Sequence, residues 1–306
     1  MISVVIPSYN RRDGMLALLA DLRRQEGAEF EVVVVDDQSP DDSVEAIRRD
    51  FPEVRLFVNE RNGGPSVTRN RGIREARGGI IVGFDSDVTL PDTRMLEKVV
   101  AAFGEDGGAS GLAFRILQPD GVSEDVGRWW HQVPPGSHAE RVFSTSYFSG
   151  TAYAFRRDAV VDAGLYPEIL YMHYEEVELA WRVLDGGGRI DYRPELKVLH
   201  HANPVSRRNQ VEVFLKPRNQ ILLAVSCLPW PKALGYVIPR TGFQFCKSCA
   251  KGYLPDFVRA MRSAIDLLPR QLDARKPLKR ETLARISKLR SGVDPLGEPA
   301  GMNDAG

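Results

Sequence analysis

The first ninety residues repeat one pattern: a short apolar run, a polar loop and a segment with helical spacing. We expect strands at 2–6, 31–35, 54–58 and 80–84, and helices at about 12–25, 42–49 and 66–76. Strands that alternate with helices favour right-handed crossovers and a mainly parallel sheet with helices on both faces. In such sheets the polar loops after the strands collect at one edge, where ligands bind. The pattern therefore predicts an α/β fold with a ligand crevice formed by four loops.

The fourth strand ends in two carboxylates. The apolar run Ile80–Phe84 leads directly into Asp85, Ser86 and Asp87. Two acids that flank one small residue can face the same hard cation, and Mg²⁺ or Mn²⁺ prefers oxygen ligands and leaves room for substrate phosphates. The same three residues are also good turn formers. The residues alone leave both interpretations open, a metal site and a solvated turn.

The other loops can also be interpreted in two ways. Asp36 and Asp37 could cap the helix that follows, and Asn62-Gly63-Gly64 could be a turn that uses the conformational freedom of glycine. Arg69 and Asn70 follow that turn on the next helix, where a guanidinium could reach a phosphate. A shared site is favoured because four polar strand ends meet at one edge of the predicted sheet.

Together these motifs resemble a known family. The segments VVIPSYNR, VVVVDDQSPDDS and NERNGGPSVTRNRGI, followed by Asp85-Ser86-Asp87, are similar at these separations to the nucleotide-sugar-binding half of family 2 glycosyltransferases, of a rhamnosyltransferase-like kind. The resemblance implies a GT-A fold, which is Rossmann-like with a mainly parallel sheet, over residues 1–225.

The resemblance also implies roles for individual residues of the donor half. It puts Pro7 and Asp37 against the base and ribose, Asp36 beside them, Arg69 and Asn70 facing the donor, and Asp85 at the diphosphate. The implied ligands of a divalent metal, Mg²⁺ or Mn²⁺, are Asp85, Asp87 and His200. His200 follows an apolar run, and a neutral imidazole is a reasonable third ligand beside an acidic pair. His201 would then point away from the metal.

A second acidic cluster lies in the predicted acceptor half. Glu178 and Arg182 are four residues apart, which by itself predicts an exposed salt-bridged helix face. In the family an acidic pair at a helix N-terminus serves the acceptor, so the resemblance implies that Glu176 is the general base, with Glu175 and Gly150 on the acceptor side. Aspartate is more common than glutamate at this position in the family. The longer side chain must still bring an oxygen within hydrogen-bond reach of the acceptor hydroxyl.

The chain is neutral overall, but its charge is divided. Residues 1–204 carry 23 Lys and Arg against 33 Asp and Glu, whereas residues 205–292 carry 18 against 5. Basic segments attract phosphate surfaces. Prolines interrupt every long apolar run in this tail, and no DNA-binding motif is present. We expect a basic amphipathic helical extension at 226–292, which either lies on an anionic membrane or packs on the catalytic domain, and a disordered tail at 293–306.

Cysteine use and the first residues bear on the cellular location. The three cysteines are an odd number and lie late in the chain, which does not resemble an extracellular disulfide framework. The start MISVVIPSYN lacks the basic region and cleavage site of a signal peptide. We expect a cytoplasmic protein, either free or peripheral on the inner face of the cell membrane.

These features predict an inverting, metal-dependent transfer of a hexosyl or deoxyhexosyl group from a nucleotide-diphosphate sugar to a hydroxyl of a glycan or lipid-linked acceptor, in cell-envelope polysaccharide synthesis. Nucleic acid is not expected as a partner. Two alternatives remain. A non-catalytic sugar-nucleotide-binding module would have the same loops, and a sugar-nucleotidyltransferase would need a glycine-rich phosphate loop after the first strand, which PSYNRRD does not contain.

Overall fold

The computed structural model describes residues 1–105, 108–201 and 208–290, and in the last range it describes side chains from residue 213. The strands in this part of the chain are β1 Ile2–Ser8, β2 Phe30–Asp36, β3 Arg55–Val58, β4 Ile80–Phe84, β5 Val88–Thr89, β6 Gly111–Leu117, β7 Phe143–Thr145, β8 Ala152–Arg156 and β9 Ile190–His200. The helices are α1 Arg12–Arg23, α2 Ser43–Asp50, α3 Pro65–Glu75, α4 Met95–Glu105, α5 Pro135–His138, α6 Arg157–Asp162, α7 Glu175–Asp185, α8 Arg208–Cys227, α9 Trp230–Lys251, α10 Leu254–Asp273 and α11 Arg280–Arg290, with a 3-10 turn at Glu168–Leu170.

All the strands belong to one sheet, in the order β3-β2-β1-β4-β8-β6-β9-β5, with β7 also paired to β9. The pairs among β1, β2, β3 and β4 are parallel, as the repeated strand-helix pattern requires. In the other half β8 is antiparallel to both β4 and β6, and β5 and β7 are antiparallel to β9. The predicted α/β class is confirmed. β6 and β9 form a further parallel pair, and each antiparallel pair includes a strand that follows β4. Beyond β4 the chain no longer alternates regularly between strand and helix, so its connections do not impose parallel pairing.

The first four predicted strands and the three helices between them are all present, with ends that differ by a few residues. β9 runs from Ile190 to His200 although it contains Pro194, which cannot donate to a strand ladder. The register against β6 jumps from Arg193 to Lys197, so an irregularity around the proline lets the strand continue.

The sheet has a hydrophobic core on each face, because successive side chains of a strand point to opposite sides. Val4 and Ile6 of β1 pack in a cluster with apolar residues of α1, α2 and α4. Val5 packs in a second cluster with residues of α3, α6 and α7. Burial on both faces explains why the first strands read as continuous apolar runs.

The C-terminal helices share a third cluster with the sheet domain. Trp181 and Leu184 of α7 are buried together with Leu223 of α8 and with Leu283 and Ile286 of α11. The predicted boundary at residue 225 falls inside α8, and the division of the chain at that point stays a prediction. The predicted disordered tail, 293–306, lies outside the described residues. None of the helices that the structure describes combines the length and apolarity needed to cross a bilayer.

Candidate active site

A cleft opens at the carboxyl ends of the parallel strands, where the sequence pattern predicts it. Its lining comes from all four strand-end loops and from one distant segment, and consists of Pro7, Ser8, Tyr9, Arg11, Asp37, Asn62, Gly64, Pro65, Thr68, Asp85, Ser86, Asp87, Tyr171 and Met172. The Ser8 hydroxyl is buried and has no hydrogen-bond partner among the described residues. A polar atom left without a partner at a cleft wall is available to a ligand.

The two acids that follow β2 have different tasks. Asp37 lines the cleft and accepts hydrogen bonds from the backbone N–H groups of Gly63 and Gly64, at 3.0 and 2.8 Å. It therefore fixes the glycine turn that begins α3. Asp36 is fully buried and accepts from the N–H and the hydroxyl of Ser39, so it stabilises its own loop. Asp37 thus lines the cleft, whereas Asp36 lies beneath it, and the donor contacts predicted for both stay predictions.

Arg69 and Asn70 do not both face the donor. Arg69 is buried, and its Nη2 lies 2.7 Å from Asp85 Oδ1 and 3.3 Å from the Gly150 carbonyl oxygen. Asn70 points away from the cleft: it donates to the Tyr166 carbonyl at 2.9 Å and accepts from the Tyr166 N–H at 2.9 Å. The expected donor contact of Asn70 is thus replaced by a tie between α3 and the segment before α7. Arg69 reaches the cleft only through its ion pair with Asp85.

Asp87 and His200 come together, as the sequence predicts. His200 Nε2 lies 3.6 Å from Asp87 Oδ1, and the imidazole is buried. The other ring nitrogen, Nδ1, is 2.7 Å from Asp125 Oδ2. Hydrogen bonding from His200 lowers the pKa of Asp125, so the carboxylate is an acceptor and Nδ1 carries the proton. Nε2 faces Asp87 and lies 3.5 Å from Arg128 Nη2. A histidine whose other ring nitrogen donates to a carboxylate is a common metal ligand. Nothing in the sequence pattern singles out Asp125.

These residues fit a divalent cation. Burial, and then the charge of Asp85, raise the pKa of Asp87, so the two carboxylates repel each other. A cation between them would offset that repulsion. Among the described residues no group of three His, Cys, Asp or Glu side chains surrounds a single point closely enough to hold a metal. Substrate oxygens would have to complete the coordination, as is common for Mg²⁺ with phosphates.

The acidic pair at the start of α7 lies against Gly150. A Cβ atom on Gly150 would stand 2.6 Å from Glu176 Oε1 and 2.8 Å from Arg69 Nη2, so a larger residue there would displace the ends of both side chains. Glu175 is 1% exposed and its Oε1 is 3.5 Å from Arg69 Nη1. Burial and the neighbouring charge of Glu176 raise the pKa of Glu175 well above its usual range. Glu175 is thus a fully buried carboxyl, whereas Glu176 is only partly buried.

The third acid of α7 has a structural task. Glu178 forms the expected pair with Arg182 at 3.3 Å, but the pair is buried rather than exposed. The reason is α8, whose Ser226 hydroxyl donates to Glu178 Oε1 at 2.6 Å.

A strained turn brings α7 to the cleft. Tyr171, His173 and Tyr174 have φ angles of 65°, 69° and 72°. Left-handed backbone at a non-glycine residue costs about 1–3 kcal/mol and persists only where the surroundings enforce it. The Tyr171 ring packs over Gly64, where an added Cβ would stand 2.2 Å from it. The sequence does not predict this turn, because the segment contains no glycine that would indicate positive φ angles.

Aromatic rings line the side of the site next to Glu176. Trp130 is 41% exposed and stacks on Tyr147, with ring centroids 5.9 Å apart, and its edge meets Tyr174. Burial, and then the charge of Glu176, raise the pKa of Tyr147. The neighbouring His131 is half-buried among aromatic rings, and desolvation lowers its pKa to about 3. This surface offers aromatic faces of the kind that pack against sugar rings.

Comparison with solved structures identifies the fold. TarS residues 1–349 of Staphylococcus aureus, in complex with UDP, superpose with a TM-score of 0.60 at 21% identity, covering 95% of this chain and 87% of that one. The mannosyltransferase PcManGT of Pyrobaculum calidifontis, in complex with GDP-Man and Mn²⁺, gives a TM-score of 0.57 at 19% identity, covering 94% and 83%. This likeness confirms the predicted GT-A fold.

Comparison of sequences identifies the family. The uncharacterized glycosyltransferase YibD of Escherichia coli is 31% identical over 152 residues, which are 49% of this chain and 41% of that protein. The pre-mycofactocin glycosyltransferase of Mycobacterium tuberculosis is 28% identical over 214 residues, 65% of this chain and 42% of that protein. The chain thus spans less than half of the length of these relatives. The family description "Glycosyl transferase family 2" matches residues 3–163, more than half of the chain. The protein therefore belongs to family 2 of the glycosyltransferases.

Proposed function

We propose that the protein is an inverting glycosyltransferase that moves a sugar from a nucleotide-diphosphate donor in the cleft to an acceptor hydroxyl. The observation that carries the proposal is the position of Arg69, which contacts Asp85 in the cleft and Glu175 at the start of α7. One side chain thus spans the distance between the diphosphate side and the acidic pair. A sugar attached to the diphosphate would lie between them, within reach of an attacking hydroxyl.

Glu176 is the better candidate for the general base. A base must be able to reach the acceptor hydroxyl, and Glu175 is 1% exposed whereas Glu176 is only partly buried. In the proposed step Glu176 removes the proton of the acceptor hydroxyl as its oxygen attacks the anomeric carbon. The carbon–oxygen bond to the diphosphate breaks on the opposite face, so the configuration inverts and no covalent enzyme intermediate forms.

The donor diphosphate would share a divalent cation with Asp87 and His200, and Asp85 would be the third protein ligand once the donor is bound. When bound, such a cation stabilises the negative charge of the leaving diphosphate. Of the two predicted metals, Mg²⁺ and Mn²⁺, we propose Mn²⁺, because the PcManGT complex contains Mn²⁺. Pro7 and Asp37 would contact the base and ribose. The transferred sugar would be a hexosyl or a deoxyhexosyl group such as rhamnosyl.

The acceptor side is proposed to bind a glycan or lipid-linked glycan, as in the synthesis of cell-envelope polysaccharide. Trp130 and its aromatic neighbours supply a surface for a sugar ring next to Glu176. A lipid-linked acceptor would also explain the surface of α9 and α10. Nine of the seventeen exposed large apolar residues in the described part of the chain lie on these two helices, among them Ile238 at 66% and Ile265 at 64% exposure.

These two helices are basic as well as apolar. Exposed Lys247, Arg259 and Arg262 accompany the apolar residues. An apolar face with cationic neighbours suits the surface of an anionic bilayer, and each Lys or Arg near that surface adds about 1 kcal/mol of attraction. We therefore propose peripheral attachment through α9 and α10.

In co-sedimentation, wild type should pellet with anionic and not with neutral vesicles at low salt. The double variant Ile238→Gln/Ile265→Gln should stay in solution, and Val122→Gln, at an equally exposed site on the other domain, should behave as wild type. Equal pelleting of all three would oppose attachment through this face.

The main experiment is a panel of nucleotide sugars tested with Mn²⁺, with Mg²⁺ and with chelator. The donor should raise the melting temperature, since ligand binding stabilises the fold by RT ln(1 + [L]/Kd), and should release nucleoside diphosphate. A non-catalytic binding module would show stabilisation without release. A sugar-nucleotidyltransferase would instead form pyrophosphate from a nucleoside triphosphate and a sugar phosphate. Stabilisation that persists unchanged with chelator would contradict the metal.

A further inference from the structure

We propose that Asn219 is a positioning residue for the transfer reaction, because its side chain holds the turn Tyr171–Tyr174 and thereby sets Glu175 and Glu176 at the start of α7. The inference rests on the proposed function, in which Glu176 is the base. Asn219 lies on α8, outside the residues 3–163 that match the family description.

The turn needs external support. The described part of the chain has six non-glycine residues with positive φ, and three of them, Tyr171, His173 and Tyr174, fall in this short stretch. Each is unfavourable for an L-residue and would relax if the surroundings allowed it. The turn ends where α7 begins, so any relaxation would move Glu175 and Glu176 away from Gly150.

Asn219 supplies that support. Its side chain is fully buried, and Nδ2 lies 2.8 Å from each of three backbone carbonyl oxygens, those of Leu170, Met172 and His173. The amide group has two N–H donors, so the three acceptors share them. Oδ1 accepts from Arg218 Nε at 2.9 Å, which fixes the amide with its nitrogen toward the turn. One side chain thus binds the carbonyl group before the turn and two of the four within it.

The neighbours of Asn219 hold the two ends of the same segment. Arg218 Nη2 donates to the Leu170 carbonyl at 2.9 Å, and Gln220 Nε2 donates to the Tyr174 hydroxyl at 2.6 Å. Three consecutive residues of α8 therefore contact the segment from Leu170, just before the turn, to Tyr174, its last residue.

A second attachment lies two helical turns further along α8. Ser226 is seven residues after Asn219, on the same side of the helix. Its hydroxyl donates to Glu178 Oε1 at 2.6 Å and accepts from Arg182 Nη2 at 2.8 Å. α8 thus holds α7 on both sides of Glu175 and Glu176, which explains how a helix outside the donor cleft sets the position of the acidic pair.

The turn also reaches the donor. Tyr171 and Met172 line the cleft, and Ser66 on α3 donates its hydroxyl hydrogen to the Tyr171 carbonyl at 2.9 Å. The Tyr171 carbonyl is therefore held from the donor side, while the carbonyls on either side of it are held by Asn219. Loss of Asn219 should consequently disturb α7 more than the cleft.

The test compares Asn219→Ala with Gln271→Ala. Gln271 is a buried amide of α10 that donates to the Leu222 carbonyl of α8 at 3.2 Å, so its removal costs a similar bond without touching the turn. Hydrogen exchange of backbone amides at 170–176 is measured in both full-length variants. Turnover is followed as nucleoside diphosphate release from the best donor of the panel, and donor affinity with UDP and Mn²⁺ as the probe.

In Asn219→Ala we expect exchange at 170–176 to quicken about tenfold or more and kcat to fall about 100-fold, the usual effect of a misplacement near 1 Å, with UDP affinity changed less than kcat. Gln271→Ala should keep wild-type exchange at 170–176 and wild-type kcat. If Asn219→Ala does not fold, Asn219→Ser, which keeps one donor, should show smaller changes in the same direction. Unchanged exchange or unchanged kcat in a folded Asn219 variant would overturn the inference. Failure of the proposed function would look different: Glu176→Gln would keep its turnover whatever the exchange result.

Discussion

The two halves of the active site are held in place in different ways. On the donor side Asp37 binds Gly63 and Gly64, and Asp36 binds Ser39, all within the first 90 residues. On the acceptor side the turn before α7 is held by Asn219, which is 46 to 49 residues further along the chain. The donor half thus carries its own support, whereas the acceptor half depends on a C-terminal helix. Arg69 joins the two halves through Asp85 and Glu175.

This difference suggests that each half can be damaged separately. A change at the acceptor base should stop turnover and spare donor binding. A change at the metal ligands should weaken donor binding itself.

The largest effect is expected at the base. Glu176→Gln keeps the size of the side chain and removes its ability to accept a proton, so kcat should fall by about 10²–10⁴-fold. The affinity for UDP with Mn²⁺, measured by calorimetry, should stay within a few-fold of wild type. If Glu175→Gln lowers kcat more than Glu176→Gln does, the roles of the two acids are exchanged. If UDP affinity falls together with kcat, the two halves are not separable.

The second effect concerns the metal. Asp87→Ala should abolish Mn²⁺-dependent UDP binding. Asp125→Asn keeps the shape of the group that orients His200 and removes its charge, and loss of such support usually costs about 10–100-fold in metal affinity. Mn²⁺ binding in the presence of UDP, followed by electron paramagnetic resonance, measures both variants.

Asp120→Asn is the matched control for Asp125→Asn, because Asp120 is an exposed acid that bonds only to its own loop. It should bind Mn²⁺ as wild type does. Wild-type Mn²⁺ affinity in Asp125→Asn would mean that His200 needs no carboxylate, and unchanged UDP binding in Asp87→Ala would argue against this metal site.

The sequence predicts the donor half well, for a physical reason. Buried parallel strands produce apolar runs, and the polar residues after them must gather at one edge of the sheet, so local patterns locate Pro7, Asp37, Asp85 and Asp87. They do not tell which polar residues face the cleft. Asp36 and Asn70 satisfy the backbone instead, and this depends on side-chain directions that no local pattern carries.

The acceptor half is harder to read from sequence. Glu176 is found through the family resemblance, but the contacts that hold it come from residues with no pattern of their own. Asn219 is an ordinary polar residue within a helical segment, and Asp125 lies in an irregular loop. Asn219 acts on the turn before α7, and Asp125 acts on His200. In both cases the contact joins distant parts of the chain. Contacts of this kind appear only when the tertiary structure is known.

The smallest effect tests the junction of the two halves, at Glu175. The pKa of this carboxyl is raised in the folded protein, so the folded state binds its proton more tightly than the unfolded chain does. The resulting stabilisation is complete below the unfolded pKa of about 4.3 and is lost as the pH rises through the folded pKa. Glu175→Gln is neutral at every pH and avoids that loss. Its melting temperature should match wild type near pH 4 and exceed it increasingly toward pH 8.

The size of this effect depends on the difference between the folded and unfolded pKa of Glu175. Each pKa unit changes the free energy of unfolding by about 1.4 kcal/mol. Glu60→Gln, at an exposed glutamate, provides the matched control and should give a difference that does not change with pH. A constant difference for Glu175→Gln as well would mean that Arg69, 3.5 Å away, keeps Glu175 ionised. Glu175 would then be a charged partner that joins the two halves and a competitor of Glu176 for the acceptor proton. A rising difference would leave Glu176 as the ionised acid of the pair, with Arg69 committed to Asp85.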